Sequence, residues 1–148
     1  MRPSYASPML HISYWEFFKQ YYTPMLKEVD ILLKTIDEPI STNEAAKALS
    51  ISETAVQRIM AKEDIELLDR EGFLRIMMHG SSPICRLLQR ECKCGSPDSY
   101  SPANIAYIYG LQNGHVAEVC HKNGYKEVPA RSLPELLDKI YIFILPGS

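Results

Sequence analysis

The chain has 148 residues, room for one ordinary domain or two very small ones. Hydrophobic residues at 46 % and charged residues at 23 % give a globular rather than a disordered composition. A formal net charge of −2 excludes a global basic footprint for nucleic acid, so any such role needs a locally basic face.

No apolar run approaches the ~20 residues that a membrane helix requires. The opening "MRPSYASPMLHISYWEFF" lacks the basic-then-apolar layout of a signal peptide. Cys85, Cys92, Cys94 and Cys120 are too few and too clustered for a disulfide framework in a chain of this length. The expected compartment is the cytoplasm, with no membrane partner.

In chain order, residues 11–22 place Ile12, Trp15, Phe18 and Tyr22 at helical spacing, an aromatic N-terminal helix (within 1–22) that covers a core or an interface. From Pro24, Leu26, Val29, Leu33 and Ile36 continue an amphipathic pattern to about residue 35. Hydroxyl-then-proline pairs punctuate the chain: Ser7 with Pro8, Thr23 with Pro24, Ser82 with Pro83 and Ser101 with Pro102. Such a pair caps a helix and removes one orphan N–H at its first turn. Capping boxes are expected at Ser41 with Glu44 and at Ser132 with Glu135.

Helices are expected over 41–49 and 52–62, then the acidic stretch "EDIELLDRE" over 63–71. The segment "GFLRIMM", 72–78, reads as a minor strand or extended arm. Gly80, Ser81 and Ser82 mark the expected boundary between a first unit, 23–79, and a second, 80–148. The second opens with a helix from Pro83, continues with helices from Pro102 and from about Gln112, and closes with a helix over 133–143. The expected fold class is all-α, with that one minor strand.

The stretch "STNEAAKALSISETAVQRIM" (41–60) and the stretch "SPANIAYIYGLQNGHVAEVC" (101–120) carry small and apolar residues in the same places. Ala46 matches Ala106, Ser50 matches Gly110, Ile51 matches Leu111, Val56 matches Val116 and Ile59 matches Val119, each pair sixty positions apart. Plain packed helix pairs explain the apolar positions, but less readily the matched small residues before and at the turn. A tandem internal repeat explains both.

Both blocks resemble the helix-turn-helix motif family. Two helices that cross sharply leave no room for a bulky side chain at the contact, hence Ala46 and Ala106, and a small residue in the turn, hence Ser50 and Gly110. The wider stretch 29–60 resembles the DNA-binding heads of bacterial repressors and winged-helix regulators, although "REGFLRI" stands later than their usual wing. The resemblance implies two tandem helix-turn-helix units.

In that motif the second helix enters the major groove of double-stranded DNA. For helix 52–62 it would turn Ser52, Glu53, Thr54, Gln57, Arg58, Ala61 and Lys62 outward. Gln pairs with adenine, Arg with guanine or a phosphate, and the hydroxyls with phosphates. The second block offers Gln112, Asn113 and His115, with Gly114 and Glu118 nearby and no cation before Lys122. The first block is therefore the better DNA reader.

Cys92 and Cys94 in "CKCG" are the only short zinc signal, and Cys85, Cys120 and His121 could join them. No CxxC pair accompanies them, and Cys85, Leu88 and Cys92 share one apolar helix face, so no metal or other cofactor is expected. No nucleophile–base pair or phosphate loop appears, so no enzyme is expected. The sequence points to a small bacterial-type transcriptional regulator, acting as a homodimer. The alternative is a protein-interaction adaptor that retains the fold without DNA binding.

Overall fold

A computed structural model describes residues 10–95 and 97–144. Among them the fold is predominantly helical, with two short antiparallel strand pairs. The hydroxyl–proline pair at Ser7 lies outside the described residues. The described residues divide into two compact units, a helical one over 22–95 and a mixed one that joins 10–21 to 97–144.

The helical unit takes the later turns of α1 (Tyr14–Thr35), then α2 (Thr42–Leu49), α3 (Glu53–Glu63), α4 (Arg70–Met77) and α5 (Pro83–Cys94). Its core joins Val29, Leu49, Val56, Phe73, Ile76 and Cys85. Cys85 is fully buried there, so α5 packs with the elements before it. The division therefore falls near residue 96 rather than at Gly80, Ser81 and Ser82.

Local capping sets most of these helices. Ser41 and Glu44 form the expected capping box, Ser52 Oγ accepts from Ala55 N, and Ser82 Oγ accepts from Cys85 N. The helix α2 ends in a left-handed residue, Ser50 (φ 55°, ψ 41°), which lets Ile51 N donate to Ala46 O at 3.1 Å.

Two expectations fail here. Segment 72–78 is not a strand but lies mostly in α4. Asp69 caps that helix by accepting from Gly72 N at 2.8 Å, and Phe73, Ile76 and Met77 are buried at helical spacing. Leu68 and Phe73, both buried, flank the cap as a hydrophobic staple. Nor does Pro24 start a new helix, because α1 runs through it without a break. A mid-helix proline costs about 3 kcal/mol, and burial of Tyr14 and Phe18 before it and Val29 after it offsets that cost.

The mixed unit holds β1 (Leu10–Ser13), the first turns of α1, β2 (Ser99–Tyr100), α6 (Pro102–Tyr109), α7 (Asn113–Lys122), β3 (Val128–Pro129), a 3-10 turn at Ala130–Ser132, α8 (Leu133–Leu137) and β4 (Tyr141–Ile144). β1 pairs with β4 (His11 opposite Phe143, Ser13 opposite Tyr141), and β2 pairs with β3. The expected closing helix over 133–143 thus stops at Leu137, and Tyr141–Ile144 forms a strand. The expected box at Ser132 is absent: Ser132 lies in the 3-10 turn and makes no side-chain cap. Ser13 ends β1 and caps α1, accepting from Glu16 N and donating to Asp138 at 2.8 Å.

The aromatic helix packs inside this unit. Tyr14 and Phe18 are buried and meet Tyr109 edge-on, with ring centres 5.8 Å apart in each case. Phe18 is therefore not surface left over for a second copy.

Candidate nucleic-acid interface

Helix α3 starts at Ser52 and is fixed from below by Val56, which has no exposed surface. Ser52, Glu53, Thr54, Gln57, Arg58, Ala61 and Lys62 are all exposed. Every candidate contact thus lies on the outer side of one helix. Gln57, Arg58 and Lys62 have no hydrogen-bond or ion-pair partner among the described residues, so their donors are free for a ligand. Ser52 spends a lone pair on its cap but keeps its hydroxyl proton. Glu53 is occupied, because Thr42 Oγ1 donates to Glu53 Oε2 and ties the start of α2 to the start of α3.

The acids after Lys62 are partly engaged. Glu63 Oε1 lies 3.9 Å from Arg75 Nη2 and 3.4 Å from His79 Nε2, and Arg75 also donates to the Glu63 carbonyl. Asp64 ends α3 in the left-handed region, and Asp69 is the cap of α4. Glu66 and Glu71 remain exposed. They line a recess with Asp64, Asp69 and Arg75.

The α6–α7 pair has the same local backbone plan. Ser101 caps α6 as Ser41 caps α2, and Gly110 (φ 66°, ψ 36°) takes the left-handed turn position of Ser50. Leu111 N donates to Ala106 O at 2.9 Å, as Ile51 N does to Ala46 O. The correspondence extends to the helix ends: Asp64 and Gly124 are both left-handed, and Ile65 N→Met60 O and Tyr125 N→Cys120 O close both second helices at 2.9 Å. Every one of these matches is sixty residues apart. Ile65 and Tyr125 lie beyond the matched blocks 41–60 and 101–120.

The outer face of α7 differs in chemistry. Gln112 and Asn113 are exposed and His115 is half-buried. Gln112 makes no side-chain cap. Glu118 stands where α3 has Arg58, and it pairs with Lys122 at 3.9 Å.

Burial of Cys85 and Cys120 pushes both thiols above the ordinary cysteine range, so they stay protonated. Cys92 is exposed and Cys94 half-buried on α5. No three His, Cys, Asp or Glu side chains gather as a metal site among the described residues. Nor is any described helix long and apolar enough to cross a membrane.

Nothing in the sequence signals the residues that face α3 across a recess. Arg58, Lys62, Ala55, Ile59 and Glu63 share it with His79, Gly80 and Ser81 from the α4–α5 turn. Reading 72–78 as a strand hides this neighbourhood. Comparison with family models, with curated proteins and with solved structures gives no match.

Proposed function

We propose that the helical unit binds double-stranded DNA, with α3 in the major groove, and that the chain serves as a small cytoplasmic transcriptional regulator. One observation carries this reading: Thr54, Gln57, Arg58 and Lys62 project from one side of a helix whose opposite side is pinned by Val56, and the last three have unspent donors. Gln57 offers a bidentate amide for adenine and Arg58 a guanidinium for guanine or a phosphate. Ser52 supplies a hydroxyl to the backbone. The paired backbone plan of α2–α3 and α6–α7 supports an origin by duplication, with the second copy turned to another use. Binding as a homodimer would supply a second half-site and offset the modest charge of a single unit.

The test is a DNA-binding assay on selected duplexes with Arg58→Ala and its positional counterpart Glu118→Ala. Arg58→Ala should leave folding within about 0.5 kcal/mol of wild type and weaken specific binding by about 1–3 kcal/mol. Glu118→Ala should not weaken it. A wild-type chain without sequence preference at low or moderate salt refutes the regulator. The adaptor reading then takes its place, favoured by Ile31 and Leu67, apolar side chains of the helical unit left 52 % and 60 % exposed.

A further inference from the structure

We infer that the recess between α3 and the α4–α5 turn is a seat for one phosphate diester of the DNA backbone. This inference rests on the DNA reading above and extends it to residues outside the helix pair. The recess holds about 240 Å³, room for a phosphate group. One wall carries Arg58 and Lys62, four residues apart and so on one face of α3, together with Ala55 and Ile59. The other wall carries His79, Gly80 and the exposed Ser81. Neither cation, nor the Ser81 hydroxyl, has a partner among the described residues.

The far wall is held in place before any ligand arrives. Ser82 Oγ donates to Leu49 O at 2.6 Å, which ties the start of α5 to the end of α2. Gln89 Nε2 donates to Met77 O at 3.0 Å and to Gly80 O at 2.8 Å, which fixes the turn itself. Gly80 packs so closely on Cys85 that a Cβ there would lie 2.5 Å from Sγ. A recess already formed spares the ordering cost of binding.

The recess has one acid in its lining, Glu63, and the Arg75 guanidinium holds it. Arg75 and His79 both face its carboxylate, at 3.9 Å and 3.4 Å. His79 Nδ1 lies 2.9 Å from Arg75 O, an acceptor, so Nδ1 carries the hydrogen and Nε2 is the nitrogen turned to Glu63. Arg58 and Lys62 are left to act on the ligand. A helix in the major groove is flanked by phosphates, so a recess on the flank of α3 meets the strand where the base-reading face meets the bases.

The test uses the full chain, a random-sequence duplex and the variants Lys62→Gln, Ser81→Ala and, as a control away from the recess, Lys93→Gln. Losing one phosphate contact should flatten the log–log salt dependence by about 0.9. The deficit of Lys62→Gln against wild type should therefore shrink about 3.5-fold between roughly 50 and 200 mM salt. Ser81→Ala should weaken binding several-fold at every salt with the slope unchanged, and Lys93→Gln should track wild type. If the first two variants behave as the control does, the seat is refuted while the DNA reading stands. If wild type binds no duplex, titration with inorganic phosphate, followed by amide NMR shifts, decides separately. Saturable shifts confined to 58–63 and 79–82, and lost in Lys62→Gln, keep a phosphate site and overturn DNA as its source. Their absence overturns the site itself.

Discussion

The two left-handed turn residues allow the helix-pair geometry to be tested without touching either outer face. Ser50 and Gly110 share a conformation, but only one has a side chain. An L-residue in this region carries about 1–2 kcal/mol of strain. Glycine is free of it and instead loses about 0.5–1 kcal/mol more chain entropy on folding. The difference leaves glycine ahead by about 0.5–1 kcal/mol. A Cβ built at Gly110 meets nothing within 4 Å, so Gly110→Ser should cost the backbone term alone. Ser50 is exposed and its side chain makes no hydrogen bond among the described residues, so Ser50→Gly should gain the same amount. Urea unfolding should show midpoints moving in opposite directions with unchanged slopes. Hydrogen exchange reads each turn locally. Ile51 N–H should exchange about 2- to 5-fold more slowly in Ser50→Gly, and Leu111 N–H faster by that factor in Gly110→Ser. Shifts of the same sign, or a neutral Gly110→Ser, would refute the shared geometry.

Gly80→Ala should destabilise by about 1–3 kcal/mol through overpacking, because the new Cβ would press on the buried Cys85. Combined with Cys85→Ala it should cost less than the two changes added, as measured by urea unfolding. Glu91 has its carboxyl pushed above the ordinary carboxylate range by burial. A raised folded-state value means that its contribution is favourable below the unfolded value and is lost as pH rises through the folded one. Glu91→Gln should therefore stabilise the chain at pH 7, and the gain should vanish below the carboxylate range in thermal melts taken across pH.

The features legible in the sequence are those that short-range hydrogen bonding decides. Ser41 with Glu44, Ser52, Ser82 and Ser101 each cap a helix within three residues of themselves, so the starts of α2, α3, α5 and α6 can be read directly. Asp69 does the same for α4, but it sits in an acidic run that reads as a solvated loop, which hides the helix behind it. Pro24 misleads for the opposite reason: its local signal is strong, and packing on both sides of it outweighs that signal. The strands are out of reach. β1 and β4 hydrogen-bond across nearly the whole described chain, and nothing near His11 or Tyr141 marks the partner. At the candidate interface, helix period alone yields the outer face of α3. The recess beside it depends on α4 being a helix, whose cap is hidden in the acidic run, and on Gln89 folding the following turn, which has no local marker.

The matched positions of the two pairs separate their surface chemistry more sharply than either pair does alone. Their backbones follow one plan from the N-cap to the left-handed residue after the second helix, so the difference between them lies in side chains. Arg58 and Lys62 on α3 stand unpaired four residues apart. The same two places on α7 hold Glu118 and Lys122, which pair with each other. An exposed pair of this kind contributes little to stability, yet it leaves no net positive charge to offer a phosphate. The segments beyond the two second helices differ as well. After α3 the chain builds α4 and the turn that forms the far wall of the recess. After α7 it runs to β3, which pairs back onto β2 just before α6. On the DNA reading, the first pair kept both the free cations and the wall that faces them, and the second pair kept neither. Exchanging the charges, by Arg58→Glu on α3 and Glu118→Arg on α7, puts this to the test. The double variant should lose binding by more than about tenfold if only the first pair has a phosphate wall, since a phosphate contact needs position as well as charge. Binding restored to the wild-type level would mean that charge alone distinguishes the pairs, and that the recess beside α3 adds nothing.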